Sequence, residues 1–392
     1  MSTFLGLIEE IPGISVDRFD EENLGSSVFF LSHCHLDHMN GLSNNMFMNL
    51  HVNGKYLYCS PITKVLLENM FTFESSCVKE IDVDTPTVIE YTLNEKNGNK
   101  ILLTVIAISA GHCPGSVMFL FEKDNVSVLY TGDFRINPMD FSKLKCLHYR
   151  EHSKLIPKTF TKVYLDTTFL SNDFRTLPTR LESVTKVCDI TKYWLNKNPR
   201  NVVVLECSAL YGSEFLYIEL SKMLGMRIHV KTNVYKSYCR IAQLSCYVTN
   251  EPCSTRIHAC KKKFSSKSLE CRDDIKSEYI LTIIPSVQKW KNRDTSVVGE
   301  WDKNQEQTFN VCYSTHSSLE ELKAFVQYFG MKASEIYPCV VTSTEKNKIY
   351  NLLESITKKE EQESFKQIYT LKLPKVSKIP FKSEYFSSDD DS

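Results

Sequence analysis

The chain has 392 residues, 42% hydrophobic and 24% charged, with 47 basic and 47 acidic side chains and therefore no formal net charge. This is the composition of a globular protein long enough for two domains, or for one domain with a large insertion. Zero net charge argues against a tail-driven, histone-like binder, so any nucleic-acid surface has to be local; the best apolar run, residues 101–110, is far too short to span a bilayer.

The first fifteen residues, MSTFLGLIEEIPGIS, place acids where a signal peptide needs its apolar stretch. Fourteen cysteines are scattered along the chain without an export signal, so reduced thiols or metal ligands inside the cell are expected. Up to residue 170, strand-like runs alternate with turn signals: VFFLS, KYLYCS, PTVIEYTL, ILLTVIAISA, SVMFLFE, VSVLYTGD and KVYLDTTF. Several end in a polar cluster (SHCHLDH, GHCPGS, TGDFR, LDTTF), the pattern of a sheet that delivers its chemistry from loops at one edge. Residues 178–198 have helical spacing, and NVVVLEC opens a second strand and helix alternation through SEFLYIELSKMLG and RIHVKT. Residues 261–278 read as a polar, lysine-rich loop, FNVCYSTHSS as a strand ending in a histidine, and LEELKAFVQYFG as an amphipathic helix. From residue 372 the chain is rich in Lys, Pro and Ser and is expected to be a flexible tail.

The densest chemistry lies in HCHLDH, residues 33–38. In extended chain, residues two apart share a side, so His33 and His35 can grip one ion while Asp37 and His38 reach a second. Imidazole with carboxylate suits zinc and its neighbours, and a metal with open positions lowers the pKa of water to roughly 7. A solvated histidine-rich loop is the alternative. His112 in AGHCPGSVMF and Asp133 in YTGDFR argue against it, because each ends a strand-like run and supplies a missing ligand. A carboxylate with two usable oxygens is the natural bridge between metals about 3.5–4 Å apart.

HxHxDH followed by a histidine and by an aspartate in TGD resembles the metal signature of the metallo-β-lactamase fold. GHCPGSVMFLF and LYTGDFR, with SVDRFD, FFLSHCHLDHM, YLYCSPIT, YLDTTF and HSS, resemble the metallo-β-lactamase/β-CASP DNA-repair nucleases over about residues 3–345. The resemblance implies an α/β protein: a metallo-β-lactamase αββα sandwich, residues 1–168 and 309–371, with an inserted β-CASP α/β domain, residues 169–308, and a tail at 372–392. It implies that His33, His35, His112 and Asp133 hold one catalytic zinc, with Mg or Mn as alternatives. Asp37 and His38, bridged by Asp133, would hold a second. Asp17 would orient the ligand loop from outside the coordination shell. His316 would be the general acid and Asp166 its orienter or a metal-side carboxylate. Val340 stands where RNA-cutting members carry a metal-binding histidine, which favours DNA.

The same resemblance groups His229, His258, Cys260 and Cys271 as a structural zinc site in the insert, with Cys253 as a competitor. Lys289, Trp290, Lys291 and Arg293, in VQKWKNR, interleave cations with an aromatic as phosphate contacts and base stacking require. Leu36 departs from that family branch, which carries a lysine there. The implied function is metal-dependent DNA hydrolysis in the nucleus, as an endonuclease and 5′–3′ exonuclease that opens hairpins and trims overhangs or single strands in non-homologous end joining. DNA-dependent protein kinase and the end-joining ligase complex are the implied partners, with no membrane association. Rival readings are a 5′ exonuclease of cross-link or telomere repair, a small-molecule hydrolase of the same fold, and an inactive DNA-binding scaffold.

Overall fold

The structure, a computed structural model, describes residues 2–93, 100–152, 154–207, 210–260, 268–342 and 344–358. The tail expected at 372–392 and the first part of the lysine-rich loop, 261–267, lie outside the described residues.

The layering follows from alternation in the strand Lys100–Ser109, KILLTVIAIS. Leu103, Val105 and Ala107 enter one core while Ile106 and Ile108 enter another, as the two-residue period of a strand requires. A strand apolar on both sides must be covered twice. It belongs to a six-stranded sheet in the order Ile336–Pro338, Lys162–Leu165, Val126–Tyr130, Val117–Lys123, Lys100–Ser109, Pro86–Thr92.

On one side this sheet meets a four-stranded parallel sheet, Ile14–Val16, Val28–Phe30, Tyr56–Cys59 and Val78–Glu80. Phe30 is wedged between Phe119 and Phe121, with ring centroids 5.3 and 4.9 Å away. Each such fully buried ring stabilises the sandwich by about 1.5–3 kcal/mol. On the far side the helices Leu319–Tyr328 and Lys346–Thr357 share a core with Leu120, Leu129 and Val163. Helices Asn44–Val52 and Pro61–Met70 cover the outer face of the four-stranded sheet. This is the expected αββα sandwich.

Residues 202–311 build a third sheet of seven strands, in the order Val248–Thr249, Ile228–Val230, Ile257–Ala259, Val202–Leu205, Ile280–Pro285, Thr308–Val311, Gly299–Trp301. Only Gly299–Trp301, at one edge, pairs antiparallel. The preceding helix Arg180–Lys197 begins with a capping box between Thr179 and Glu182. Its Val184 and Val187 join Val203, Leu281, Leu57 and Leu66 in one continuous core, so the sandwich and the third sheet are packed together.

Strands Lys100–Ser109, Val126–Tyr130 and Lys162–Leu165 run the same way in the six-stranded sheet. Their C-terminal ends therefore share one edge, and from it emerge His112, Asp133 and Asp166.

Candidate metal centre and cleft

Ser32 and His33 follow the strand Val28–Phe30, and Asp17 anchors the turn they make. Its carboxylate accepts hydrogen bonds from the Ser32 amide at 2.6 Å and the Ser32 hydroxyl at 2.5 Å. It also takes one from the Tyr130 hydroxyl at 2.7 Å, and His38 Nδ1 lies 2.7 Å away. Asp17 adopts a left-handed backbone, φ 57°, which costs of order 1–3 kcal/mol and which these four bonds offset. Gly132, at φ 51°, lets the TGD turn pass so close to Ser32 that an added Cβ would sit 3.0 Å from its side chain.

Three imidazoles converge beside this turn, and hydrogen bonds to groups outside the cluster assign their tautomers. The Tyr211 carbonyl lies 3.0 Å from His35 Nε2 and the Thr315 carbonyl 3.0 Å from His112 Nδ1. A carbonyl only accepts, so both nitrogens carry the proton. The Ser32 hydroxyl, already donating to Asp17, accepts from His33 Nδ1 at 2.9 Å. Burial holds all three rings below the ordinary imidazole range, hence neutral. The bare nitrogens then face one another: His35 Nδ1 lies 3.1 Å from His33 Nε2 and 2.9 Å from His112 Nε2. Lone pairs at that separation repel unless a cation lies between them, so the donor set fits a metal.

Asp133 stands between this triad and His38. Its Oδ2 is 3.6 Å from both His33 Nε2 and His112 Nε2, and its Oδ1 is 3.2 Å from His38 Nε2. His38 Nε2 is buried, and this carboxylate oxygen is a close polar neighbour. Burial opposes a charge on His38, but Asp133 and Asp17 overcome it and raise its pKa well above 6.5. Burial likewise opposes ionisation of Asp133, yet His38 and His316 hold it well below the ordinary carboxylate range. Asp37 sits at the cleft mouth, where its Oδ2 accepts from the Ser2 amide at 3.0 Å and lies 4.0 Å from His38 Nε2.

His316 enters from the loop after the strand Thr308–Val311. Its Nδ1 is 2.9 Å from Asp166 Oδ2 and its Nε2 is 3.8 Å from Asp133 Oδ2. The other Asp166 oxygen accepts from the amide and hydroxyl of Thr168, at 2.9 and 2.6 Å, which fixes the carboxylate plane. Burial again works against charge, but Asp166 and then Asp133 raise the His316 pKa. Val340 is half-buried, its main chain paired in both directions with the Thr167 hydroxyl.

A second cluster lies in the seven-stranded sheet. His229 and His258 are register partners on adjacent strands, with their Nδ1 atoms 3.4 Å apart. Cys271 Sγ is 3.4 Å from both Cys260 Sγ and His258 Nδ1. A tetrahedral zinc with ordinary bond lengths separates its ligands by about 3.3–3.8 Å, so these spacings suit zinc, and the sulfurs are too far apart for a disulfide. A hydrogen bond from Cys260 drives the Cys271 thiol down to about 3 and its partner up. Cys253, the expected competitor, is exposed and outside this group.

In the VQKWKNR segment the tryptophan, expected to stack on bases, is buried, and the cations expected to meet phosphate are paired with carboxylates. Trp290 is 1% exposed, packed with Phe169, Phe174 and Val287, and its indole N–H donates to the Val297 carbonyl at 2.9 Å. An aromatic held in a core has no face to offer a base. Lys289 is paired with Asp302, Lys291 with Asp173 at 3.3 Å, and Arg293 with Glu300 at 2.7 Å. These local partners offset much of the positive field.

Sequence reading missed the carbonyls of Tyr211 and Thr315, since a main-chain acceptor leaves no side-chain signature. It also missed Ser32, Tyr130 and Glu214, the last a carboxylate hidden inside YGSEF. The centre opens into a cleft of about 560 Å³, bordered by Leu36, Phe169, the 210–213 segment and the start of the VQKW turn.

An αββα sandwich whose strand ends deliver an HxHxDH cluster, a histidine and a bridging aspartate defines a protein of the metallo-β-lactamase class. Residues 242–344 match the family described as DNA repair metallo-beta-lactamase. The chain is 39% identical to protein artemis of Rattus norvegicus over 341 residues, 84% of this chain and 47% of that protein. It is 36% identical to protein artemis of Homo sapiens over 371 residues, 91% and 52%. The DNA cross-link repair 1A protein of Homo sapiens is 29% identical over 354 residues, 87% and 31%. Over most of its own length the chain is thus similar to the artemis proteins and shares the DNA-repair metallo-β-lactamase match, and it spans about half the length of the artemis proteins it matches.

Proposed function

We propose that this protein is a zinc-dependent DNA nuclease that acts in the nucleus, opening hairpins and trimming overhangs and single strands during non-homologous end joining. The observation that carries the reading is the convergence of the unprotonated nitrogens of His33, His35 and His112 on one point beside Asp133. In this reading those four residues would hold the first metal, and His38, Asp37 and Asp133 would hold the second. When bound, the metals polarise phosphoryl oxygens and ionise water near neutral pH.

The chain's own residues supply the rest. His316 carries a proton on Nε2 toward the cleft and donates it to the departing oxygen of the phosphodiester, while Asp166 fixes the ring through Nδ1 and favours its charged form. Asp17 and Ser32 keep the ligand turn in one geometry. The insert, expected at 169–308 and carrying its sheet on to Val311, walls the cleft, and His229, His258, Cys260 and Cys271 would hold a structural zinc inside it. By likeness to the artemis proteins, DNA-dependent protein kinase and the end-joining ligase complex are the partners.

The test is cleavage of hairpin, 5′-overhang, single-stranded and RNA substrates, with and without chelator. Chelator-sensitive cleavage of DNA ends is expected. Chelator-resistant cleavage, or none by the metal-loaded protein, would overturn the reading. Activity confined to 5′ ends would transfer it to the cross-link-repair relatives.

A further inference from the structure

The 210–213 segment reaches the metal centre through one main-chain atom, the Tyr211 carbonyl on His35 Nε2. The segment that carries it is held from below by Glu214. This side chain is 3% exposed, at the first turn of the helix Glu214–Leu224. One carboxylate oxygen accepts the Gly212 amide at 2.7 Å, and the other accepts the Tyr238 hydroxyl. Tyr238, itself buried, lies in the helix Thr232–Tyr238 and packs its ring 6.0 Å from that of Tyr211. A buried carboxyl is costly unless its oxygens are satisfied; burial pushes this one up to about 7, against the hydrogen bonds from Tyr238 and Gly212. Gly212 has φ 120°, a conformation that favours glycine, and an added Cβ there would lie 3.6 Å from His35 Nε2.

We propose that Glu214 is a positioning residue for the metal centre: by holding the Gly212 amide and the Tyr238 hydroxyl it seats the Tyr211 carbonyl on His35 and so fixes the tautomer that leaves Nδ1 bare. The proposal rests on His35 being a metal ligand, as read above. Without the carboxyl, the 210–213 segment loses its anchor and the carbonyl its place. His35 then populates the Nδ1–H tautomer, which has no lone pair on Nδ1 to turn toward His33 and His112. Loss of such an outer partner typically weakens metal affinity 10–100-fold.

The experiment measures zinc affinity of the full chain by competition with a chromophoric chelator, in wild type, His35→Ala, Glu214→Ala and Glu214→Gln. Nitrogen-15 spectra of the histidines read the His35 tautomer in the same samples. Glu214→Ala is expected to bind the catalytic zinc about 10–100-fold more weakly and to lose the Nε2–H signature of His35. Zinc at the Cys260 and Cys271 cluster is expected to stay unchanged. Glu214→Gln is expected to restore near-wild-type binding, because its carbonyl accepts from Gly212 and its amide donates to Tyr238. If Glu214→Ala does not fold, Gly212→Ala, at a half-buried position, displaces the segment with the carboxyl intact and is expected to show the same weakening. Wild-type affinity in a folded Glu214→Ala or Gly212→Ala chain, or Glu214→Gln as weak as Glu214→Ala, would overturn this proposal alone. A zinc content untouched by His35→Ala would overturn the metal reading and this proposal with it.

Discussion

His316 and Asp166, 150 residues apart in the chain, meet through Nδ1 and Oδ2 at 2.9 Å. The contact leaves only Nε2 of His316 to face the cleft. His316→Ala is expected to slow DNA cleavage by about 10²–10⁴-fold, the usual range for a lost general acid, with DNA affinity nearly unchanged in equilibrium binding. Wild-type turnover in that variant would remove His316 from the chemistry.

The same pair sets a pH limb. Asp166 and Asp133 raise His316 above its ordinary 6.5 against the effect of burial, and the acid form is the active one. Turnover should therefore fall as pH rises through the raised value. Asp166→Asn removes the larger raising charge, so the limb should move to lower pH; a rate profile that stays in place would contradict this. The pair's contribution to stability has the same sense: fully present below 6.5, and lost as pH rises through the folded value.

Metal ligands on loops serve chemistry more than packing. His33→Ala and Asp133→Ala are expected to abolish cleavage and lower catalytic zinc content while circular dichroism stays close to wild type. Cleavage by a metal-stripped Asp133→Ala protein at the wild-type rate would end the hydrolytic metal assignment.

Elemental analysis of the purified chain should find at least two zinc equivalents. Cys260→Ser and Cys271→Ser should each lose one of them and lower the melting temperature, since a closed zinc site contributes folding energy. Unchanged zinc and melting in both would make the four residues ordinary core.

Trp290→Ala should destabilise the fold by about 3–5 kcal/mol, as for other large buried side chains, measured by denaturant unfolding. DNA binding per folded molecule should change little. The reverse pattern, a stable protein with weak DNA binding, would restore the stacking role.

Much of the fold and the cluster was legible because both depend on local patterns. Alternation in KILLTVIAIS announces a two-faced strand, and HCHLDH concentrates donors within six positions. Trp290 was misread because spacing among lysines resembles a binding stripe, whereas its burial depends on Phe169 and Phe174, which lie far away in sequence. Tyr211 and Thr315 were invisible for a different reason: every residue has a carbonyl, and only the fold selects which one reaches a histidine. The expected preference for DNA turns on Val340, whose amide is tied to the Thr167 hydroxyl, and comparison of DNA with RNA cleavage tests it.

The carbonyls that fix His35 and His112 lie 176 and 203 residues further along the chain. At a synthesis rate of about 5–20 residues per second, the nascent HCHLDH loop waits roughly 10–35 s before the first of them has been made. Throughout that interval His35 is free to take either tautomer. The partner that assigns the His35 tautomer thus arrives late, and a truncated chain ending before residue 211 should show both neutral forms of that ring in nitrogen-15 spectra.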